Sequence, residues 1–294
     1  MDLLVLGGTR FVGRHVVETA RARGHRVTLF HRGRTGTELF PDVERRLGDR
    51  DGGLAALAGG RWDAVVDTCG FVPRIVRASA RALAGCGRYL FVSSVSVYAH
   101  PVPPGATESA PLATLADPTR EDMTGETYGA LKALCERAAA DELGARLTVV
   151  RPGLVVGPHD PTDRFTWWVR RLARGGDVPA PGDPEQGVQF VDARDLAAFL
   201  VHLAERDVPG VFHAAGPAAR LTMRAFLEGV RAATGSAARL VWMDEAFLLA
   251  AGVTPWVEMP LWLPAAESGL AALDAGRARA AGLALRPLAG TVRD

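Results

Sequence analysis

Leu3-Leu-Val-Leu-Gly-Gly-Thr-Arg-Phe-Val-Gly13 is the stretch on which the fold turns. Leu3 to Leu6 is a short apolar run of buried-strand type. Gly7, Gly8 and Gly13 frame a turn, and His15 to Arg23 follows with helical periodicity up to Gly24, a C-terminal stop. Arg26 to Phe30 reads as the next strand. Strand, glycine-rich turn, helix and strand within about 30 residues is the setting in which glycines hold a dinucleotide. They admit the backbone close to a pyrophosphate, and the helix start offers unpaired N–H groups and a positive dipole end. The predicted fold class is α/β, a Rossmann-type doubly wound parallel sheet with a smaller C-terminal substrate lobe. Gly7, Thr9, Arg10, Phe11, Val12 and Gly13 are the cofactor contacts expected from this turn.

Charge at the end of the second strand sharpens the expectation. A unit built for NAD places an acid there, against the ribose 2′-hydroxyl. This chain has His31-Arg32-Gly33-Arg34 and no acid, and Arg10 stands inside the turn itself. Arg10 and Arg32 facing the adenosine ribose suit a 2′-phosphate, which guanidinium binds bidentately. NADP is therefore the expected cofactor, ahead of NAD.

The second informative stretch is Glu126-Thr-Tyr-Gly-Ala-Leu-Lys132. Lys132 is the only lysine among 34 Lys and Arg residues. The residues from Ala130 to Ala140 are strong helix formers, so Tyr128 and Lys132 lie one turn apart on one helical face. A phenol beside an ammonium has its anion favoured, and its pKa is expected to fall toward neutrality. It can then exchange a proton with a carbinol or carbonyl.

Composition bounds the remaining possibilities. At 294 residues, 48% hydrophobic and 23% charged, the chain is an ordinary globular protein with a sizeable core. A net charge of +1 supplies no field for nucleic acid or an anionic membrane. The N-terminus enters directly into a strand, without the pattern of a secretory signal. Cys69, Cys86 and Cys135 are widely spaced, without C-x-x-C or neighbouring histidines. Neither a disulfide framework nor a metal site is expected, and the compartment is expected to be reducing, the cytoplasm.

Further along, Val43 to Leu47 reads as a strand, with Asp49 placed to accept from an adenine amino group. Trp62 to Asp67 is the next, and its exit through Thr68 and Cys69 should pass over the cofactor. Arg74 to Leu83 is an amphipathic helix. Arg88 to Val92 delivers Ser93 and Ser94 to the carboxyl edge of the sheet, where a hydroxyl can donate to a substrate oxygen. Pro101 to Thr119 is Pro-rich and polar, a flexible surface loop. Leu147 to Val150 leads into Arg151-Pro152. Phe165, Trp167 and Trp168 are aromatics for which core packing is the simplest reading. Phe165 and Trp168, with Ser96 and Gln189, are also the candidate substrate contacts. Pro179 to Gly187 reads as a loop, Val188 to Val191 as a short strand, and Asp192 as the N-cap of a helix through Ala204. Val211 to Ala214 is another strand, closed by Gly216-Pro217. Beyond Leu221 helices dominate, and Pro287 onward resembles the start of one more helix. Residues 1–158 are assigned to the dinucleotide-binding core and 159–294 mainly to the substrate lobe, with 188–216 returning to the core.

Together these motifs resemble the extended short-chain dehydrogenase/reductase (SDR) superfamily over nearly the full length. They are Gly7 to Gly13, Asp49, Ser94 four residues before Tyr98, Tyr128-x-x-x-Lys132, Arg151-Pro152 and Phe190-Val-Asp-Ala-Arg-Asp195. The Gly-Gly-Thr-Arg-Phe-Val-Gly form is similar to a subgroup labelled NAD-dependent epimerase/dehydratase, which includes chloroplast stem-loop RNA-binding proteins. The resemblance implies Tyr128 as general acid/base, Lys132 as the group that orients the nicotinamide ribose, Ser94 on the reacting oxygen and Pro152 beside the nicotinamide amide. A homodimer through the Tyr128 helix is likewise implied.

Departures from the family pattern narrow the activity. Nucleotide-sugar dehydratases have Asp-Glu where this chain has Val95 and Ser96. Nucleotide-sugar epimerases have Asn and Arg where it has Leu154 and Val188. Aliphatic residues in place of two polar anchors point to a less anionic, more apolar substrate. The expected function is an NAD(P)-dependent oxidoreductase acting on a carbonyl or alcohol of a small, moderately apolar molecule. The alternatives are an epimerase with a retained nicotinamide cofactor and a non-catalytic or RNA-binding protein on the same fold.

Overall fold

The computed structural model describes residues 1–294, apart from the side chain of Ala218. Seven parallel strands form the main sheet: β1 (Asp2–Leu6), β2 (Arg26–His31), β3 (Glu44–Leu47), β4 (Ala64–Asp67), β5 (Arg88–Val92), β6 (Leu147–Pro152) and, later in the chain, β10 (Gly210–Ala214). Their order is β10-β6-β5-β4-β1-β2-β3. The order reverses between β1 and β4, so the crevice at their carboxyl ends is where such a sheet takes a ligand. Gly7 leaves β1 and Thr68 leaves β4 at that crevice.

Two helical layers cover the sheet. On one side α1 (Phe11–Ala22) packs with α5 (Ala193–Glu205), burying Val16, Val17, Leu196 and Leu200 against Leu3 and Val5. On the other, α2 (Pro73–Ala82) packs with α3 (Tyr128–Leu143), burying Val76, Ala80, Cys135 and Ala139 against Leu4, Leu6 and Phe91. Strands sandwiched in this way need no polar face, which is why β1, β4 and β5 read as continuous apolar runs.

A second region adds β7 (Leu154–Val156), α4 (Arg164–Ala173), β8 (Asp177–Pro181), β9 (Gly187–Asp192), β11 (Gly216–Thr222), α6 (Met223–Ala233), β12 (Arg239–Met243), α7 (Glu245–Ala250), α8 (Gly276–Ala280) and α9 (Leu288–Arg293). Its sheets are β11-β9-β7 and β12-β8. Its core is aromatic, with the rings of Phe165, Phe190 and Phe226 at 5.2 to 6.1 Å from one another.

Several sequence expectations change here. Residues 179–187 do not form one loop, because β8 extends through Pro181 and pairs in parallel with β12. Prolines are tolerated on an edge strand, where a missing N–H breaks no ladder. The strand at Val211 to Ala214 ends ahead of Gly216-Pro217 as expected, and Gly216 then opens β11, antiparallel to β9. The strand at Val188 to Val191 belongs to this smaller sheet, and of the 188–216 stretch it is β10 that joins the main sheet. The Pro101 to Thr119 segment has no helix, yet it is pinned. Val102 and Ala106 are buried, and Glu108 accepts from His213 N at 2.9 Å. Asp192 caps α5 as expected, accepting from Arg194 N at 2.9 Å.

Candidate active site

The glycine turn is built for close approach. Gly7 and Gly8 hold φ of +102° and +92°, values that favour glycine. A Cβ on Gly13 would sit 2.7 Å from Gly8 N and 2.9 Å from Gly8 Cα. Thr68 Oγ1 donates to Leu6 O at 2.9 Å and braces the turn from β4. The first turn of α1 has no acid and no side-chain cap, which leaves its N–H groups for an anion. Gly13→Ala is therefore expected to cost about 1–3 kcal/mol of stability, and to weaken dinucleotide binding by about tenfold or more. Unfolding in denaturant and a fluorescence titration with NADPH check the two effects.

Around this turn lies a cleft of about 550 Å³. Gly7, Thr9, Arg10, Phe11, Val12, Gly13, Arg32, Asp49, Thr68 and Cys69 all line it. Arg10, Arg32 and Arg34 are exposed at its rim, and none has a carboxylate partner among the described residues. The 32–36 loop is held against the turn, since a Cβ on Gly36 would lie 2.8 Å from Thr9 O. His31, which the sequence reading passed over, has Nδ1 accepting from Gly33 N at 2.9 Å. That bond makes the ring a neutral imidazole with its hydrogen on Nε2, and this buried atom has no partner among the described residues. Asp49 spends one oxygen on Asp51 N at 3.1 Å. These features fit a dinucleotide: a cradle that side chains would fill, free guanidiniums and an unspent donor in the wall.

The floor of the cleft contains a buried ion pair invisible in the sequence. Arg50 donates to both Asp67 oxygens at 2.7 and 2.8 Å, and Tyr89 donates to Asp67 at 2.8 Å. Burial pushes the Cys69 thiol pKa up, so it packs as a protonated thiol rather than serving as a nucleophile.

Tyr128, Lys132 and Glu136 form a single stripe along α3, each one turn from the next, and each meets a strand end. Lys132 is 2% exposed and donates from Nζ to Gly70 O at 2.7 Å and Val92 O at 2.8 Å, beneath the exits of β4 and β5. The Phe91 ring lies 4.3 Å away and the Phe71 ring, which also lines the cleft, 5.2 Å. Glu136 takes a bidentate pair from Arg151 at 2.9 and 2.7 Å, and Arg151 also donates to Tyr98 OH at 2.7 Å. Thus the Arg of Arg151-Pro152 fixes the Tyr128 helix to β6, and Pro152 is buried at the end of that strand. Ser94 Oγ donates to Ser96 Oγ and accepts from Ser96 N, both at 3.1 Å. Gly129 lies so close to this turn that a Cβ would come within 2.0 Å of Ser96 O.

The electrostatics differ from the sequence expectation. Burial raises the Tyr128 pKa, while the Ser94 hydroxyl and the Arg164 charge act the other way. The Lys132 ammonium donates to two backbone carbonyls rather than to the phenol. Burial lowers the Lys132 pKa to about 8. No motif marks Arg164, whose charge acts against the effect of burial on the phenol.

Three of the candidate substrate contacts fall away. Phe165 is enclosed by Phe190 and Phe226, and Trp168 is fully buried with its indole N–H donating to Pro260 O at 2.7 Å. Gln189 exchanges two hydrogen bonds with the Leu273 backbone, both at 2.9 Å. All three stabilise the second region. Ser96 remains beside Ser94. Leu154 and Val188 are likewise buried among apolar side chains.

A family model described as NAD dependent epimerase/dehydratase family matches residues 54–215, more than half of the sequence. The chain belongs to that family. The match contains Ser94, Tyr128, Lys132 and Pro152, and the glycine turn lies ahead of it. The family is of the extended SDR type, and the doubly wound sheet agrees with it. The chain is 29% identical over 217 residues to the chloroplast stem-loop binding protein of 41 kDa b of Arabidopsis thaliana, covering 67% of this chain and 54% of that protein. It thus spans about half the length of that relative. It is 28% identical over 255 residues to the epimerase family protein SDR39U1 of Bos taurus, covering 80% and 81% of the two chains. The solved structure of human SDR39U1 with NADPH superposes with a TM-score of 0.67 at 23% identity, covering 100% and 98%. Among the described residues no cluster of metal-ligating side chains occurs, and no helix is long and apolar enough to cross a membrane.

Proposed function

We propose that this family member is an NADP-dependent oxidoreductase that reduces or oxidises one carbonyl or carbinol carbon of a small, moderately apolar molecule. The observation that carries the reading is the α3 stripe, which sets the Tyr128 phenol beside the Ser94 turn and the Lys132 amine beneath the two strand exits. Ser94 would hold the substrate oxygen and Tyr128 would give or take its proton. The third N–H of Lys132 is left for a ribose hydroxyl. The nicotinamide supplies the hydride chemistry when it is bound. Support for NADP over NAD comes from Arg10, Arg32 and Arg34, together with the free Nε2–H of His31. The free thiols of Cys69, Cys86 and Cys135 suit a reducing compartment such as the cytoplasm. A homodimer through α2 and α3 is part of the same reading.

Charge removal at the rim tests the cofactor assignment. Arg32→Ala with Arg34→Ala is expected to weaken NADPH binding about 100-fold, since each lost charge-assisted contact is worth about 1.5–3 kcal/mol. NADH binding should be nearly unchanged. A wild-type protein that prefers NAD would overturn the assignment.

A second reading, an epimerase that keeps its nucleotide, is favoured by the family match. It is distinguished by turnover without net consumption of free NADPH. The plant relative's name points to stem-loop binding, but against a nucleic-acid-binding role a net charge of +1 and the intact Ser94, Tyr128 and Lys132 set favour an enzyme.

A further inference from the structure

Tyr98 ends the short turn that Ser94 begins, with Val95 to Val97 between them. The Tyr98 ring is fully buried and meets the buried His213 ring edge-on, at 5.4 Å between centres and 90° between planes. Its hydroxyl bonds His213 Nε2 and accepts from Arg151 Nη1 at 2.7 Å. His213 Nδ1 lies 2.8 Å from Asp274 O, and a carbonyl only accepts, so the imidazole hydrogen is on Nδ1. Nε2 is then the acceptor and Tyr98 the donor. Burial keeps the His213 pKa below its ordinary value, against the opposing pull of Asp274 O and the Glu108 charge. The ring is a neutral acceptor in one tautomer.

The turn that Tyr98 closes is packed onto the Tyr128 helix. Ser96 O, in the middle of the turn, is the atom that leaves no room for a Cβ on Gly129, and Gly129 follows Tyr128 directly. Arg151 holds both partners, the turn through the Tyr98 hydroxyl and the helix through Glu136, two turns along from Tyr128. Glu108 closes the frame from the segment that follows the turn. Its carboxylate accepts from His213 N at 2.9 Å and its carbonyl from Arg151 Nη1 at 3.0 Å. A hydroxyl that both donates and accepts is fixed in direction. Without His213 Nε2 its hydrogen would be buried and unpaired, and the ring and the turn behind it would shift to relieve that.

We infer that His213 is a positioning residue for the reacting pair: by accepting from Tyr98 it fixes the 94–98 turn against the start of α3, and with it the placement of Ser94 relative to Tyr128. This rests on the reading of Ser94 and Tyr128 as the groups that meet the substrate oxygen, and deepens it. His213 is fully buried and does not line the cleft, so it acts only through Tyr98.

The chain has three tyrosines, so tyrosine labelled with carbon-13 at Cζ gives three resonances, for Tyr89, Tyr98 and Tyr128. Tyr98→Phe and Tyr128→Phe assign them in the intact chain at neutral pH. His213→Asn retains a donor for Asp274 O and removes the acceptor that faces Tyr98. It is expected to move the Tyr98 and Tyr128 resonances by more than their linewidths and to leave that of Tyr89 in place. His213→Gln, whose side-chain oxygen can take the place of Nε2, should return the Tyr128 resonance to its wild-type position. Tyr98→Phe should move Tyr128 as His213→Asn does, and the two changes together should move it no further, since both cut one path. A Tyr128 resonance unmoved by His213→Asn overturns the inference, as does a Gln variant that behaves like Asn or a pair of changes whose effects add. Where His213→Asn fails to fold, Tyr98→Phe alone decides, and an unmoved Tyr128 resonance there overturns the inference. The measurement needs no substrate, so it stands apart from the acid/base reading, which turnover of the Tyr128→Phe variant decides.

Discussion

Tyr128→Phe is expected to lower turnover of a carbonyl substrate by about 10²–10⁴-fold, the usual worth of a positioned general acid or base. At the middle of that range the loss corresponds to about 4 kcal/mol of barrier. Cofactor affinity should change by no more than several-fold, because the amine beneath the strand exits is untouched. The pH profile carries a second expectation. Burial holds the phenol protonated through neutral pH, so reduction, which takes the proton, should run undiminished there. Oxidation, which needs the phenolate, should accelerate as pH climbs toward the raised pKa. Steady-state rates in both directions across the alkaline range measure this. A Phe variant with wild-type turnover would remove Tyr128 from the chemistry.

Lys132→Met is the second large effect, and its sign depends on pH. In the folded protein the Lys132 pKa falls from its ordinary 10.5 to about 8. Between those values the unfolded chain binds more protons than the folded one, so this group makes the wild type more stable as pH rises. The gain amounts to about 3 kcal/mol and is complete near the upper value. Below the folded pKa the buried ammonium costs about that amount, partly offset by its bonds to Gly70 O and Val92 O. Methionine removes the donors at every pH and leaves two buried carbonyls unpartnered, at about 1–3 kcal/mol each. The stability difference between wild type and variant should therefore widen by about 3 kcal/mol from pH 8 to pH 10.5. Denaturant unfolding across that range decides. A difference that stays flat would mean the amine is not buried as described.

Much of the fold is legible because the strands of a covered parallel sheet must be apolar throughout and the turns between them carry glycine. Leu3 to Gly13 announces both in eleven residues. The α3 spacing likewise reveals that Tyr128 and Lys132 share a face. What the sequence withholds is where side chains point. Two carbonyls from distant strands, at Gly70 and Val92, decide that Lys132 turns from the phenol, and no spacing along one helix shows that. Arg164 meets the Trp256 ring, ninety-two positions later, and no motif predicts that contact. Phe165 and Trp168 look the same in a sequence whether they wall a pocket or fill a core. His31 could have been found, since it stands where an acid would select the other nucleotide. β8 was masked by Pro179 and Pro181, residues that weigh against a strand unless it lies at an edge.

The chain's single lysine side chain gives the molecule an unusual chemical simplicity. Biosynthetic incorporation of lysine labelled with nitrogen-15 at Nζ would place one probe beneath the strand exits, with no background from other side chains. Because that nitrogen ionises near pH 8 and faces the cleft through Phe71, its resonance would report protonation and nucleotide occupancy in the intact protein. The arginine bias of the surface thus leaves a spectroscopic window at the position where a reporter is most wanted.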